Sequence, residues 1–341
     1  MAAALGYAAS MFRSSLMFAV LSFVACGSRP GPEDSGTQLP VDAGETLDAS
    51  VDAGEASDAG PENDAGIGHD AGIPDAGGLD AGVTDAGISS SRGDGGITCM
   101  SSVSFDGHSA CLSSVNGTSF KVTLPNGGGG PYTLGIYLHG DGAGAYNSNS
   151  AVRRMLTLAD AKHVLQIAVL APNKCSWWQA PTAQFDGSCM NVGAPVPDTN
   201  AENAHKLAEV IDAVRAAYDI RNEQYLYYSA SGGSIFLTRR FIPIYGEAYP
   251  GGMSINCGGE MPDDTDFAWA ISDPAARGST KMFFTYGDQD YLAADSHDTA
   301  TGYATKGFVV DEKILPGVGH CGPGFDAHGR ALEVWTQVLA P

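Results

Sequence analysis

Basic side chains are scarce: 18 Lys and Arg stand against 39 Asp and Glu, a formal net charge of −21 at pH 7. A phosphate backbone needs a basic face, so nucleic acid is excluded as a partner. No two cysteines are spaced CxxC, which argues against a structural zinc site. Nothing in the sequence advertises a metal or a cofactor. The apolar run LMFAVLSFVA near the N-terminus is too short to span a membrane. Between Val41 and Gly87 there is no aromatic residue at all, which removes that segment from any hydrophobic core.

What is present divides the chain into three parts. Residues 1–26 read as an export signal, with Arg13 as the positive region ahead of the apolar run. The run ends FVAC at Cys26, followed by Gly27 and Ser28. This ending resembles the bacterial lipoprotein signal, with Phe23 where Leu is usual. The resemblance implies lipidation at Cys26 and a membrane partner reached through that anchor, in the cell envelope and facing away from the cytoplasm. A plain secretory signal, giving a secreted protein, is the alternative.

Residues 27–98 hold 15 acidic and 2 basic side chains, and Asp-Ala-Gly recurs eight times from Asp42 to Asp85. The spacing drifts between five, six and ten residues, so no stacked β-helix is expected. Such a segment buries too little apolar surface to offset the entropy of ordering. It is expected to be a disordered, self-repelling linker that holds the next domain away from a surface. Residues 99–341 then form the folded domain.

Without Cys26 six cysteines remain, and an even number in an exported chain favours disulfides. Six allow 15 pairings. Proximity in sequence suggests Cys99–Cys111 and Cys175–Cys189, leaving Cys257–Cys321.

In the domain, apolar stretches of strand type alternate with stretches of helical period. Strands are expected at 119–124, 132–138, 164–172, 224–229, 251–257, 281–287 and 308–315. Helices are expected at 150–163, 200–220, 234–242, 295–308 and 327–339. The alternation predicts an α/β fold, a doubly wound and mostly parallel sheet with helices on both faces. In such a sheet functional residues gather at the C-terminal strand ends.

Three strand ends carry candidate chemistry. After the strand ending at Ser229 comes Ala-Ser-Gly-Gly, so that Ser231 has small neighbours on both sides. A serine on a sharp strand-to-helix turn needs them, because the two backbones approach closely there. Asp288 and Asp290 follow the strand ending at Gly287, and either can orient a histidine. His320 lies in the glycine-rich loop LPGVGHCGPGF, whereas His297 and His328 fall in expected helices.

The order Ser231, Asp290, His320, each at a strand end, resembles that of the α/β-hydrolase family. The likeness runs from about Phe120 to the C-terminus. The motif around Ser231 departs from the family in having Ser229 where a glycine is usual. Gly-x-x-Asp spacing from Gly287 selects Asp290. The family also implies a His-Gly motif after an early strand, met by LHGDGAGA, and an oxyanion hole from the N–H groups of Gly232 and Asp141. The His-Gly strand, the segment NKCSWW and the compact size are similar to secreted esterases of the feruloyl-esterase and polyhydroxybutyrate-depolymerase type. That likeness implies a serine esterase acting on a small-molecule or polymer ester through an acyl-enzyme. Trp177 and Trp178 are candidates for an aromatic wall of the substrate site, and a Cys257–Cys321 bridge would pin the His320 loop. A serine peptidase of the same fold and a non-catalytic surface-binding protein are the alternatives.

Overall fold

The computed structural model describes residues 90–91, 96–127, 129–262 and 277–340. The expected export signal, Cys26 and most of the expected linker therefore lie outside the described residues.

Ten strands form one mixed sheet: β1 Ser90–Ser91, β2 Ser101–Phe105, β3 His108–Val115, β4 Thr118–Thr123, β5 Tyr132–Leu138, β6 Val164–Val169, β7 Ile220–Ala230, β8 Gly251–Asn256, β9 Lys281–Gly287 and β10 Val309–Leu315. Their order is β10-β9-β8-β7-β5-β6-β4-β3-β2, with β1 pairing antiparallel to the start of β7. From β10 across to β6 every pairing is parallel; β4, β3 and β2 extend that edge in antiparallel fashion.

The antiparallel edge comes from two hairpins. Asp106-Gly107 and Asn116-Gly117 connect them, all four residues at positive φ between 46° and 83°. This is the conformation that two-residue hairpin turns require, and Asp-Gly and Asn-Gly adopt it at little steric cost. Two described stretches ahead of Cys99 also contact the domain. Ser90–Ser91 pairs with β7, and the Gly96 N–H donates to Ala217 O at 3.1 Å.

Helices α1 Gly144–Asn147, α2 Ser150–Lys162, α3 Glu202–Ala217, α4 Gly232–Phe236, α5 Ile242–Tyr245, α6 Ala293–Thr305 and α7 Ala327–Val338 flank the sheet. A π-helical turn at Leu237–Phe241 joins α4 to α5. The period-2 alternation of β7 shows why the sheet is covered on both faces. Tyr225 and Tyr227 sink into the core built with α3, α4 and α6. Leu226 and Tyr228 sink into the core built with α2 and α7. Trp335 of α7 lies so close to β5 that a side chain at Gly135 would meet its ring at 2.6 Å. The expected doubly wound α/β sheet is thus the observed one, with an antiparallel edge added. At the carboxyl ends of β5 and β7 the chain departs in opposite directions, β6 lying on one side of the pair and β8 on the other. That is where a crevice forms in such sheets.

Candidate active site

β7 runs straight into α4 through one residue, Ser231, at φ 51° and ψ −122°. A side chain in this region of backbone space is strained by about 1–3 kcal/mol and persists only where its surroundings over-determine it. They do so here. The Ser231 N–H donates to Asn256 O at 2.9 Å, and Ser231 O accepts from Ser234 N at 2.8 Å. A Cβ on Gly233 would stand 2.6 Å from the carbonyl oxygens of both Leu138 and His139, so only glycine lets α4 pass β5 this closely. Ser229, in place of the usual glycine, fits because its hydroxyl joins a buried network. It lies 3.0 Å from Ser234 Oγ, which in turn donates to Asn256 O at 2.9 Å.

His320 reaches this turn from the loop after β10. Its Nε2 is 2.8 Å from Ser231 Oγ, and its Nδ1 is 2.9 Å from Asp290 Oδ1. Both bonds are met when Nδ1 carries the proton and donates to the carboxylate, leaving Nε2 to accept from the serine. The Asp290 side chain is fully buried, and Oδ1 also accepts the Leu292 N–H at 2.8 Å. Asp288, two residues earlier, is exposed and accepts the Gly317 N–H at 2.7 Å, tying down the base of the histidine loop. His297 pairs with Glu312, and His328 bonds the Tyr228 hydroxyl.

Three disulfides join Cys99 to Cys111, Cys175 to Cys189 and Cys257 to Cys321. Bridges of this number belong to proteins of oxidising compartments. The third links the residue after β8 to the residue after His320, closing a sequence separation of 64. Constraining so long a loop in the unfolded chain is worth on the order of 4 kcal/mol.

The loop after β5 lies against the same turn. A Cβ on Gly140 would be 3.3 Å from Ser231 Cβ, and one on Gly232 would be 2.3 Å from Asp141 Oδ1. The Asp141 carboxylate therefore covers Gly232, and its Oδ2 accepts from Trp178 Nε1 at 2.9 Å. His139 holds this loop from beneath. Its Nε2 accepts the Ala171 N–H at 3.0 Å, so Nδ1 carries the proton and donates to Gly140 O at 2.7 Å. Burial pushes the His139 imidazole down to about 4, and the backbone bond to Gly140 only partly opposes this.

The two tryptophans separate. Trp177 is fully buried, stacked on Phe236 with ring centroids 4.7 Å apart. It is core, and the expectation that it walls a substrate site is corrected: burying so large an apolar ring outweighs presenting it to solvent. Trp178 is half-exposed and borders a cavity of about 320 Å³ with Ile235, Arg239, Arg240 and Glu260. Both arginines belong to the π-helical turn Leu237–Phe241. A second, wider cleft of about 610 Å³ opens over Ser231 and His320 and is walled by Tyr137, Tyr228 and Tyr291. Sequence reasoning missed Tyr291, whose ring lies 4.4 Å from that of His320. Its place directly after Asp290 was the available signal. Among the described residues no group of three or more His, Cys, Asp or Glu is arranged to hold a metal ion.

No protein-family model and no curated protein matches the chain. Among solved structures, a Bacteroides ovatus chain described as a dipeptidyl aminopeptidase IV aligns with 68% of this chain at 12% identity and TM-score 0.49. This chain spans only 35% of that one's length. A thermostable esterase aligns with 68% of the chain at 18% identity and TM-score 0.44, 60% of its own length being covered. A siderophore hydrolase from Aspergillus nidulans aligns with 68% at 11% identity and TM-score 0.49, with 95% of its length covered. All three scores are below 0.5, so what the site does has to be read from its own geometry.

Proposed function

We propose that the chain is a serine hydrolase of carboxylic esters, with Ser231 as nucleophile, His320 as general base and acid, and Asp290 as the group that orients the imidazole. The observation that carries this reading is the continuous pair of hydrogen bonds, Ser231 Oγ to His320 Nε2 and His320 Nδ1 to Asp290, ending on a strained strand-to-helix turn. His320 takes the serine proton as Oγ bonds to the ester carbonyl carbon. The C–O bond of the tetrahedral intermediate then breaks, and the alkoxide leaves with the proton from His320. Water repeats the attack on the acyl-enzyme as His320 takes one of its protons; the acyl C–Oγ bond then breaks, His320 returns that proton to Ser231 Oγ, and the acid leaves. Asp290 is buried and paired, so it stabilises the imidazolium formed in each half. The N–H groups of Gly232 and Asp141, on adjacent backbone segments beside Ser231, are the oxyanion donors in this reading. Losing one such donor typically lowers turnover by roughly 10²–10³-fold.

The export signal and acidic linker extend the reading to place. The domain is carried to the cell envelope, lipidated at Cys26 and held off the membrane by residues 27–98, in an oxidising compartment that suits its three disulfides.

A fluorophosphonate probe tests the chemistry. The wild type is expected to be labelled and to hydrolyse p-nitrophenyl acetate, and Ser231→Ala to do neither. Labelling that survives Ser231→Ala would refute the assignment, and turnover of peptide amides above esters would move the reading to a peptidase. Cys26→Ser is expected to release the protein from the membrane fraction; retention there would remove the lipid anchor.

A further inference from the structure

Asp141 is an unexpected residue for the place it occupies. Its carboxylate lies over Gly232, within van der Waals reach of the backbone beside which an oxyanion would form. A fixed negative charge there opposes the negative charge that develops on an ester carbonyl oxygen. The bond from the neutral Trp178 indole does not cancel it. Among the described residues lining the cleft over Ser231, none is Lys or Arg, and Asp141 is the carboxylate of the set. His328, the other imidazole in the cleft besides His320, is held below its ordinary value by burial. The rest of the lining is glycine, alanine and Cys321 beside three tyrosines, the exposed Tyr291 and the buried Tyr137 and Tyr228.

The exposed ring of Tyr291 and one carboxylate in a cleft of about 610 Å³ form an environment that recognises an organic cation. We propose that this cleft selects esters bearing an ammonium group, with Asp141 as counter-ion and Tyr291 as its aromatic wall. A bound cation neutralises Asp141 where the carboxylate otherwise opposes the oxyanion, so the substrate itself completes the electrostatics of the site. The domain's acidic balance, 24 Asp and Glu against 15 Lys and Arg over residues 99–341, draws cations to the cleft as well. This inference rests on the esterase reading of Ser231 and adds the substrate class.

The test compares acetylthiocholine with its neutral carbon isostere, in which a tert-butyl group replaces the trimethylammonium. The wild-type full chain is expected to show kcat/KM about tenfold or more higher for the cationic ester, a preference that shrinks with added salt. Asp141→Asn keeps the backbone N–H and is expected to erase the preference, while Asp141→Glu retains part of it. Equal rates for the two esters, a preference for the neutral one, or a preference that survives Asp141→Asn overturns the proposal. Labelling of Ser231 by the fluorophosphonate without hydrolysis of either ester also overturns it, leaving the nucleophile assignment intact. Absence of both labelling and hydrolysis sinks the esterase reading itself.

Discussion

The two loops that meet at the site are held in place by different means. The turn carrying Ser231 is immobilised by backbone packing: Gly233 against the β5 carbonyls, Ser231 N–H on Asn256 O, and a buried hydroxyl network below. The loop carrying His320 is half-exposed and rich in glycine. It is held by discrete ties: the Cys257–Cys321 bridge, the bond to Asp290 and the bond from Gly317 to Asp288. A strained residue has to be enclosed, because strain persists only where its surroundings leave no alternative. In the proposed mechanism the histidine carries protons between serine, leaving group and water, and for that it needs only a fixed anchor and orientation.

This contrast is open to attack from both sides. Asp290→Asn is expected to lower kcat by about 10⁴-fold while leaving the fold intact, since it removes the charge that fixes the imidazole tautomer. The measurement is steady-state hydrolysis of p-nitrophenyl acetate alongside a thermal melt. Gly233→Ala strikes the packed turn instead. Its methyl has nowhere to go between two carbonyls, so a loss of more than about 3 kcal/mol is expected by denaturant titration, with activity failing in step with the fold. Replacing both Cys257 and Cys321 by alanine strikes the tied loop. Stability is expected to fall by about 2–4 kcal/mol, and kcat is expected to fall in the fraction that remains folded, because the histidine loop has lost its bridge.

His139 gives the pH dependence of the packed side. Its folded value of about 4 lies below the ordinary 6.5, so the unfolded chain binds the extra proton more readily. Its contribution is therefore complete above pH 6.5 and lost as pH falls from 6.5 towards 4, amounting to about 3 kcal/mol. Denaturant midpoints between pH 7 and 4 are expected to fall more steeply in the wild type than in His139→Gln. The smallest effect is expected at Asp288→Asn, within about threefold in kcat, because its contact is a single exposed bond at the loop base. A loss rivalling that of Asp290→Asn would mean that the loop's ties and the imidazole's orientation are one unit.

Much of the fold was legible because both faces of the central strands are buried. β5 and β6 are short apolar runs interrupted only by Thr133 and Gln166, and α3 and α7 show helical spacing. The β2–β3 hairpin escaped because Ser101–Phe105 and His108–Val115 are rich in serine and the edge they form is exposed. The Asp-Gly and Asn-Gly turns were the readable sign. At the site, Ser231, Asp290 and His320 stood out by type and position along the chain, but Trp177 and Trp178 are adjacent and chemically identical. Only packing against Phe236 separates the core ring from the rim ring.

From the sequence alone came the alternation of strands and helices, the acidic balance, the even set of cysteines and the serine turn among small residues. Each is a local property, set by side-chain period, charge or steric size within a few positions. Tertiary structure alone decided that Trp177 is core while Trp178 is half-exposed, that the Tyr291 ring lies against His320, and that the Asp141 carboxylate rests on Gly232. Those facts depend on distances between segments dozens of residues apart, which the chain acquires only when its sheet closes and brings the strand ends side by side.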